Sequence, residues 1–580
     1  MRGPRGIVSA SWGLSTVKKP SNLIYGIEER PSLSVAIIIA LQHVLAIAVN
    51  FIYPLLLAHE AGLSAETAAD ILRIGMLALA AGTVLQAIPR GPIGCHFLAP
   101  AVYASPYLAP GFLAINMGGM PLFWGMTIVA GLSLVAFAAF WDRLRTFIPP
   151  ESAGLVVFLV GATIGVAALR LLHQKDGSIT PGDAWIALLT LAVIIAFNVW
   201  GKGRLRLFSV LIGIVIGYAV AAATGVMEVG KLTSIADLPL IALPSVAHMA
   251  WSFDARLIIP FAVTALATAM VSTGIVTSYQ RITDADWVRP DMTSISSGIR
   301  GDAVSAAISG LLCSFGVAIG PANAGLVAAT GAASRVIAYP IAAILLLATV
   351  VPAFAGLLTV MPPPVMAAAL LFAAAFIMIN GVQILSSRVL DARRTIVIGV
   401  GMLTFLLVAI FPATFARAPD WVQSIVSSPL VLATIVALSL NLVFRIGIKR
   451  SVELVIARDA EPQERVENFV ERNAGNWGAR RDVIARAKFS LMEAVEAVTG
   501  ASDPPHPIHL VMTYDEFDID AKLVYRGKPL RLSDVPPSAD EILMDDGHLL
   551  LAGFLLKRRA DGVNSTSKDG QSVLQLHFRQ

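Results

Sequence analysis

Long apolar runs fill the first 450 residues of the chain, and short polar stretches punctuate them at near-regular intervals. A membrane-spanning helix needs about 20 apolar residues. Runs of that order lie at 34–57, 67–88, 121–140, 152–171, 184–200, 207–225, 257–279, 337–358, 364–380, 393–412 and 427–446. Three further segments, 93–109, 302–316 and 321–334, are shorter or interrupted, which brings the predicted elements to fourteen. The stretch Phe315–Arg335 breaks the pattern outright. Gly316, Gly320, Pro321, Asn323 and Gly325 crowd together there, and that density of helix breakers excludes one uninterrupted helix. Irregular backbone at membrane depth is tolerated only where protein buries it or where it lines a polar cavity. The stretch is therefore a candidate transport site. A tight helix crossing of small residues is the competing explanation of its glycines.

A similar break recurs in the first half. Arg90-Gly-Pro-Ile-Gly-Cys-His-Phe-Leu-Ala-Pro100 answers Ile319-Gly-Pro-Ala-Asn-Ala-Gly325, at comparable offsets from spans that begin near 34 and 257. Seven elements per half is an odd number, so the two halves take opposite orientations. Broken segments at matching positions of inverted repeats point to a midplane binding site, where half-helix N-termini present backbone N–H groups. No charged or carbonyl-rich filter of the kind a channel uses stands out.

After Arg450 the pattern changes. Helical periodicity runs through 463–499, with alternating apolar stretches at 507–513 and 521–525, a turn at Arg526-Gly-Lys-Pro529, a helix near 546–559 and a last strand at 572–578. This is the layout of a small α+β domain. The fold class is thus an all-α polytopic membrane protein, with fourteen transmembrane segments as two inverted seven-segment repeats and a cytoplasmic α+β domain at its C-terminal end.

Composition agrees: 56% of residues are hydrophobic, 14% are charged and mean hydropathy is +0.74, which excludes an ordinary soluble protein. Cys95 and Cys313 both fall in apolar segments, so neither a disulfide framework nor a cysteine metal site is expected. The net charge of +4 is dispersed and leaves no nucleic-acid footprint. Residues 1–30 carry no cleavable leader pattern, so the first span is expected to act as its own insertion signal. Loops after even-numbered elements hold Arg90, Arg143, Arg145, Lys202, Arg204, Arg206, Arg281, Arg289, Arg300, Arg335, Arg388, Arg393 and Arg394. Those after odd-numbered elements hold only Arg170, Lys175, Lys231, Arg256 and Arg417. The positive-inside rule then puts both termini in the cytoplasm, with the protein in the plasma (inner) membrane. Asp70 and Arg73, three residues apart on one helix face, are an expected internal ion pair.

Four motifs in consistent order carry a family resemblance: Leu41-Gln42-His43-Val44-Leu45-Ala46, the run Gln280–Asp291, Asn323-x-Gly325, and Thr330-Gly-Ala-Ala-Ser-Arg335. Over roughly 25–450 the chain resembles the nucleobase–ascorbate transporters, or xanthine/uracil permeases. The resemblance implies a transporter domain at 31–450, divided into a core (31–145 and 256–358) and a gate (146–255 and 359–450). The core carries substrate against the gate, and the gate forms a homodimer contact. It also implies short strands in elements three and ten that cross at the substrate, here near His96, Phe97 and Leu98, and near Ile319, Gly320 and Pro321. The chain departs from the family where Val271 replaces a carboxylate three residues before Gly274 and where Ala322 replaces Gln or Glu before Asn323. A site built on buried hydrogen-bond partners discriminates strongly, so their loss changes substrate choice. The candidate substrate-binding set is Gln42, His43, His96, Phe97, Val271, Ser272, Thr273, Gly320, Pro321, Ala322 and Asn323. Each polar member has a structural alternative: His43 and Gln42 as interhelical ties, Asn323 as a helix cap, Phe97 as core. Asp302 reads as a charge at the head of element nine.

The tail at 451–580 resembles the ATP-binding domain of anti-sigma-factor and histidine kinases through Phe489–Val498 and Val524-Tyr-Arg-Gly-Lys-Pro529. Glu496 stands where the resemblance implies a metal-holding Asn, and Tyr525 where it implies the adenine-binding Asp, so no cofactor is expected and no metal site is assigned. The leading functional reading is a secondary transporter of nucleobase-like heterocycles working by alternating access, with or without a coupling cation, and no enzyme. A membrane sensor signalling through the tail and an anion transporter on the same architecture are the alternatives.

Overall fold

The computed structural model describes residues 18–579 except 142–149, 174–178, 203–204, 206–207, 228–229, 231–237, 288–289, 387–389, 416–417, 445–449, 457–461, 478, 480, 502–505, 516–517, 543–546 and 569. The loop charges Arg143, Arg145, Lys175, Arg204, Arg206, Lys231, Arg289, Arg388 and Arg417 lie outside the described residues. The chain forms two compact units. The first comprises Met1–Arg145, Leu155–Gly381 and Met402–Thr434, the second Thr146–Gly154, Val382–Gly401 and Ile435–Gln580.

Leu33–Ala48 (α1) passes through a short 3-10 turn into Ile52–Glu60 (α2), followed by Ala65–Ala87 (α3), Ala101–Tyr103 (β1) and Leu108–Ala139 (α4). Then come Pro150–Leu172 (α5), Pro181–Val199 (α6), Ser209–Ala223 (α7), Ile258–Thr283 (α8), Met292–Leu311 (α9), Val317–Ile319 (β2) and Pro321–Thr330 (α10). Ala338–Val350 (α11), Pro352–Thr359 (α12), Pro363–Leu385 (α13), Ala392–Ile410 (α14), Asp420–Val426 (α15) and Pro429–Phe444 (α16) complete the helical part. Among the described residues eight helices are long and apolar enough to cross a membrane, and the pair α11–α12, bent by 78°, makes up to nine. Pro352, without an amide hydrogen, accounts for that bend.

The two halves repeat one device. Each short strand leads into a half-helix that a left-handed glycine ends: Gly119 (φ 75°) interrupts α4 after β1, and Gly331 (φ 66°) closes α10 after β2. The stretch Phe315–Arg335 is accordingly strand, half-helix and turn rather than one helix. Its glycines divide between the two explanations. A Cβ on Gly320 would stand 2.7 Å from Val102 Cγ1, so that glycine lets the strands approach, whereas one on Gly325 would meet nothing within 4 Å.

Several expectations are corrected. The first strand is Ala101–Tyr103, not the neighbourhood of His96–Leu98, because Gly94 (φ 92°) and His96 (φ 69°) turn the chain there. The second ends at Ile319; Gly320 is the N-cap of α10 and Pro321 its first residue. Element nine begins at Met292, where Asp291 caps it by accepting from Thr293 N at 2.9 Å, so Asp302 is mid-helix rather than at a helix head. Arg335 and Arg394 are buried and paired with Glu28 and Glu151, not loop charges in water.

In the second unit, Arg450–Ile456 (β3), Ile508–Tyr514 (β4), Asp518–Arg526 (β5), Gly562–Lys568 (β6) and Gln571–Arg579 (β7) form an antiparallel sheet in the order β3-β4-β5-β7-β6. Pro462–Asn476 (α17), Arg481–Ala501 (α18) and Gly547–Arg559 (α19) supply the helices. The inward positions of the strands, such as Leu510, Met512, Leu523 and Leu574, share one core with Val466, Val470, Leu491 and Val495 of the helices. Strands β3 and β6 add to those expected from the sequence. Glu496 is exposed and accepts from Gln463 Nε2 at 2.8 Å, while Tyr525 is buried and donates to Lys528 O at 3.1 Å. The side chains at these two positions are thus engaged within the second unit itself.

Candidate functional site

β1 and β2 pair antiparallel over three residues each, Ala101 opposite Ile319 and Tyr103 opposite Val317. So short a ladder leaves amides at its ends, and buried amides need partners. Side chains from α3 and α9 provide them: Ala101 N donates to Thr83 Oγ1 at 3.1 Å, and Ile319 N donates to Asp302 Oδ1 at 3.0 Å. Asp302 also accepts from Gln86 Nε2 at 2.8 Å and from Ser272 Oγ at 2.5 Å. Gln86 in turn accepts from Cys95 N at 2.9 Å. One carboxylate, 1% exposed, thereby ties α3, α8, α9 and β2 together. A buried acid with three donors is adequately hydrogen-bonded, where an isolated one would be costly.

Beside this lies a second polar group. His43 Nδ1 and Asn323 Oδ1 are 2.8 Å apart, and both residues are fully buried. An amide oxygen only accepts, so Nδ1 carries the proton and Nε2 presents a lone pair. Among the described residues, His43 Nε2, Asn323 Nδ2 and the neighbouring Gln42 Oε1 are buried without a hydrogen-bond partner. That leaves two acceptors and one donor unspent, in a region where unpaired polar groups are costly.

The other candidate residues are dispersed around the break. Pro321 and Ala322 are exposed, as are Gly325 and Gly274, and Val271 and Thr273 are half-buried. Gly320 is buried at the strand crossing. Ser272 is committed to Asp302, and Thr273 Oγ1 to Ala269 O at 2.8 Å. His96 Nδ1 lies 2.7 Å from Ile88 O, which ties the ring to the chain just beyond α3. Phe97 is buried and stacks on Tyr279, with centroids 6.0 Å apart and planes at 9°. The N-cap of α10 is Gly320, so Asn323 is not the cap expected of it. Its place is one turn in, facing His43. Sequence reasoning missed the Thr83–Gln86–Asp302 network. An acid within an apolar helix is a signal in itself, but it was masked by reading Asp302 as a helix-end charge.

Comparison with known proteins identifies the family. The model of the Permease family, which describes xanthine/uracil permeases, matches residues 34–414. Xanthine permease XanP of Escherichia coli (strain K12) is 26% identical over 441 residues, covering 73% of this chain and 95% of that protein. Nucleobase transporter PlUacP of Paenibacillus larvae is 26% identical over 429 residues, covering 71% and 95%. Among solved structures, the transmembrane domain of the cyanobacterial bicarbonate transporter BicA aligns loosely, with TM-score 0.44 and 14% identity over 72% of this chain and 100% of that one. With the family model spanning most of its length, the chain belongs to the Permease family: it is an integral, multi-pass membrane transporter of a small molecule and not an enzyme.

Proposed function

We propose that this permease carries nucleobases by alternating access, binding them at the second break beside Gln42, His43 and Asn323. The observation that supports it best is the unspent trio of two acceptors and one donor, since a nucleobase edge alternates N–H and C=O groups and complements that set. The relatives' names, xanthine permease and nucleobase transporter, point to the same substrate class and do not favour the sensor or anion readings. Ala322 and Gly325 on the same half-helix are exposed and Val271 is half-buried, and none of the three carries a charge. Selectivity then rests on Gln42, His43 and Asn323 rather than on a carboxylate. Asp302 is the proposed proton carrier, because it is the acid bonded to both the substrate-side strand and α8. The proposal includes fourteen segments in core and gate, cytoplasmic termini and a homodimer contact on the gate.

Uptake of labelled xanthine, uracil and other bases into proteoliposomes tests it. Wild-type protein should accumulate at least one base, and Gly325→Val, placed in open space, should cut uptake at least tenfold without lowering thermal stability. No uptake across the panel overturns the substrate assignment.

A further inference from the structure

A segment between α7 and α8, residues 238–254, lies across the helices of the first unit. Ala242 N donates to Val350 O at 2.9 Å, Ser252 N to Pro121 O at 3.0 Å, and Trp251 Nε1 to Gly310 O at 3.0 Å. Arg73, paired with Asp70 at 3.1 Å, donates to Ala242 O. Gly125 leaves α4 bare where Ser252 O rests on it; a Cβ there would be 2.0 Å from that oxygen. These anchors hold His248 against Trp124, ring centroids 5.7 Å apart and planes at 58°.

The two rings stand at a cleft of about 510 Å³. Its other walls include the polar Glu60 at the end of α2, Thr67 at the start of α3 and Asn116 on α4 just before Gly119 interrupts it, and the apolar Leu63, Ile115 and Met120. Trp124 is 2% exposed, and among the described residues neither its Nε1 nor His248 Nε2 has a hydrogen-bond partner. An indole N–H can only donate. Burial depresses the His248 pKa, against a smaller upward pull from Asp70, so the ring is neutral at pH 7 and offers one donor and one acceptor. Among the described residues no lysine or arginine lines the cleft. An exposed carboxylate and amide, a hydroxyl and two buried, unpartnered ring nitrogens suit a neutral planar molecule carrying both C=O and N–H groups, and do not suit an anion.

We propose that this cleft is a second nucleobase site, distinct from the one at His43 and Asn323. Glu60 lies 17 residues along the α1–α2 span from His43, roughly 25 Å at the helical rise. Base held there is concentrated at one end of the helices before it reaches the break. The inference rests on the nucleobase reading for its ligand class.

Equilibrium binding of labelled xanthine and uracil to the purified full-length protein tests it. Wild type should bind two molecules per chain. Trp124→Phe, which keeps a ring but loses the donor, and Thr67→Trp, which fills the cleft from its rim, should each bind one. Both variants should retain maximal uptake and raise the apparent KM several-fold, and Asn323→Leu should keep only the cleft site. A single wild-type site, lost in Asn323→Leu and untouched by either cleft variant, overturns the second site and leaves the permease reading standing. Binding of no base by any of these proteins overturns both.

Discussion

Asp302 concentrates the chemistry of the crossing strands in one residue, and two substitutions separate its parts. Asp302→Ala removes the acceptor for Ile319 N, Gln86 Nε2 and Ser272 Oγ together. Each buried group left unpaired costs about 1–3 kcal/mol, so a drop of several kcal/mol is expected, read as a lower unfolding temperature in detergent. Asp302→Asn keeps an oxygen for Ile319 N and Gln86, and an amide that can face Ser272, while removing the charge. That variant should fold almost as wild type yet lose uptake driven by a pH gradient. Gradient-driven uptake by Asp302→Asn at the wild-type rate would remove Asp302 from coupling and leave it as a tie between elements. A second titrating residue lies outside the membrane-spanning part. His577 has its pKa raised, chiefly by its hydrogen bond to Asp520 at 2.7 Å and further by the charges of Asp518 and Asp520, against burial. A raised folded pKa favours the protonated native state. Its contribution is therefore complete below the ordinary histidine range and is lost as pH rises through the folded value. Amide exchange of β5 and β7, corrected for intrinsic rate, should be faster at pH 8 than at pH 6, and His577→Gln should abolish the difference.

At the level of elements, what could be read from the sequence depended on length and monotony. Helices α6 and α13 are near-unbroken apolar runs, and their ends fall within a few residues of the hydropathy pattern, as do those of α3 and α14 despite the charges they carry. β1 escapes the sequence pattern because three residues are too few to show a period of two, and because its position is set by turns at Gly94 and His96 that only the backbone reveals. The start of α9 escapes the hydropathy pattern for a different reason. Its first turns carry Ser294, Ser296, Ser297 and Gly298, which look like loop but are buried. Ser294 Oγ bonds Cys95 O at 2.8 Å and Ser297 Oγ bonds Thr293 O at 2.9 Å, so the hydroxyls are satisfied without water. Small polar residues of this kind let helices approach closely in a membrane, and hydropathy alone penalises them. The edge strand β6 was missed because Asn564, Ser565, Thr566 and Ser567 give no apolar alternation. The site divides in the same way. Gln42, His43 and Asn323 stood out as polar residues among apolar neighbours. The partnership of His43 with Asn323, 280 positions apart, follows only from the meeting of the two halves.

The tail raises a question that belongs to the whole molecule, because its described residues share a core of their own while Tyr514 reaches α14 within the second unit. Within the second unit, Arg394 at the start of α14 lies 3.3 Å from Glu151 at the start of α5, and its Nη2 donates to the Tyr514 hydroxyl of β4 at 3.2 Å. The ion pair is 2% and 3% exposed. Removing one partner of such a pair costs about 3–5 kcal/mol, whereas replacing both with apolar residues is often neutral. Three outcomes follow if the cluster clamps the domain to the helix ends. Arg394→Leu alone should lower the unfolding temperature sharply, Arg394→Leu with Glu151→Leu should recover most of the loss, and Tyr514→Phe should cost about 1 kcal/mol. Truncation after Arg450 removes Tyr514 from the guanidinium, so it should destabilise the membrane part and reduce uptake. A double-mutant cycle between Arg394 and Tyr514 isolates their coupling. A truncated protein that unfolds at the wild-type temperature, with no coupling in that cycle, would show that the domain rests on the helix ends without holding them.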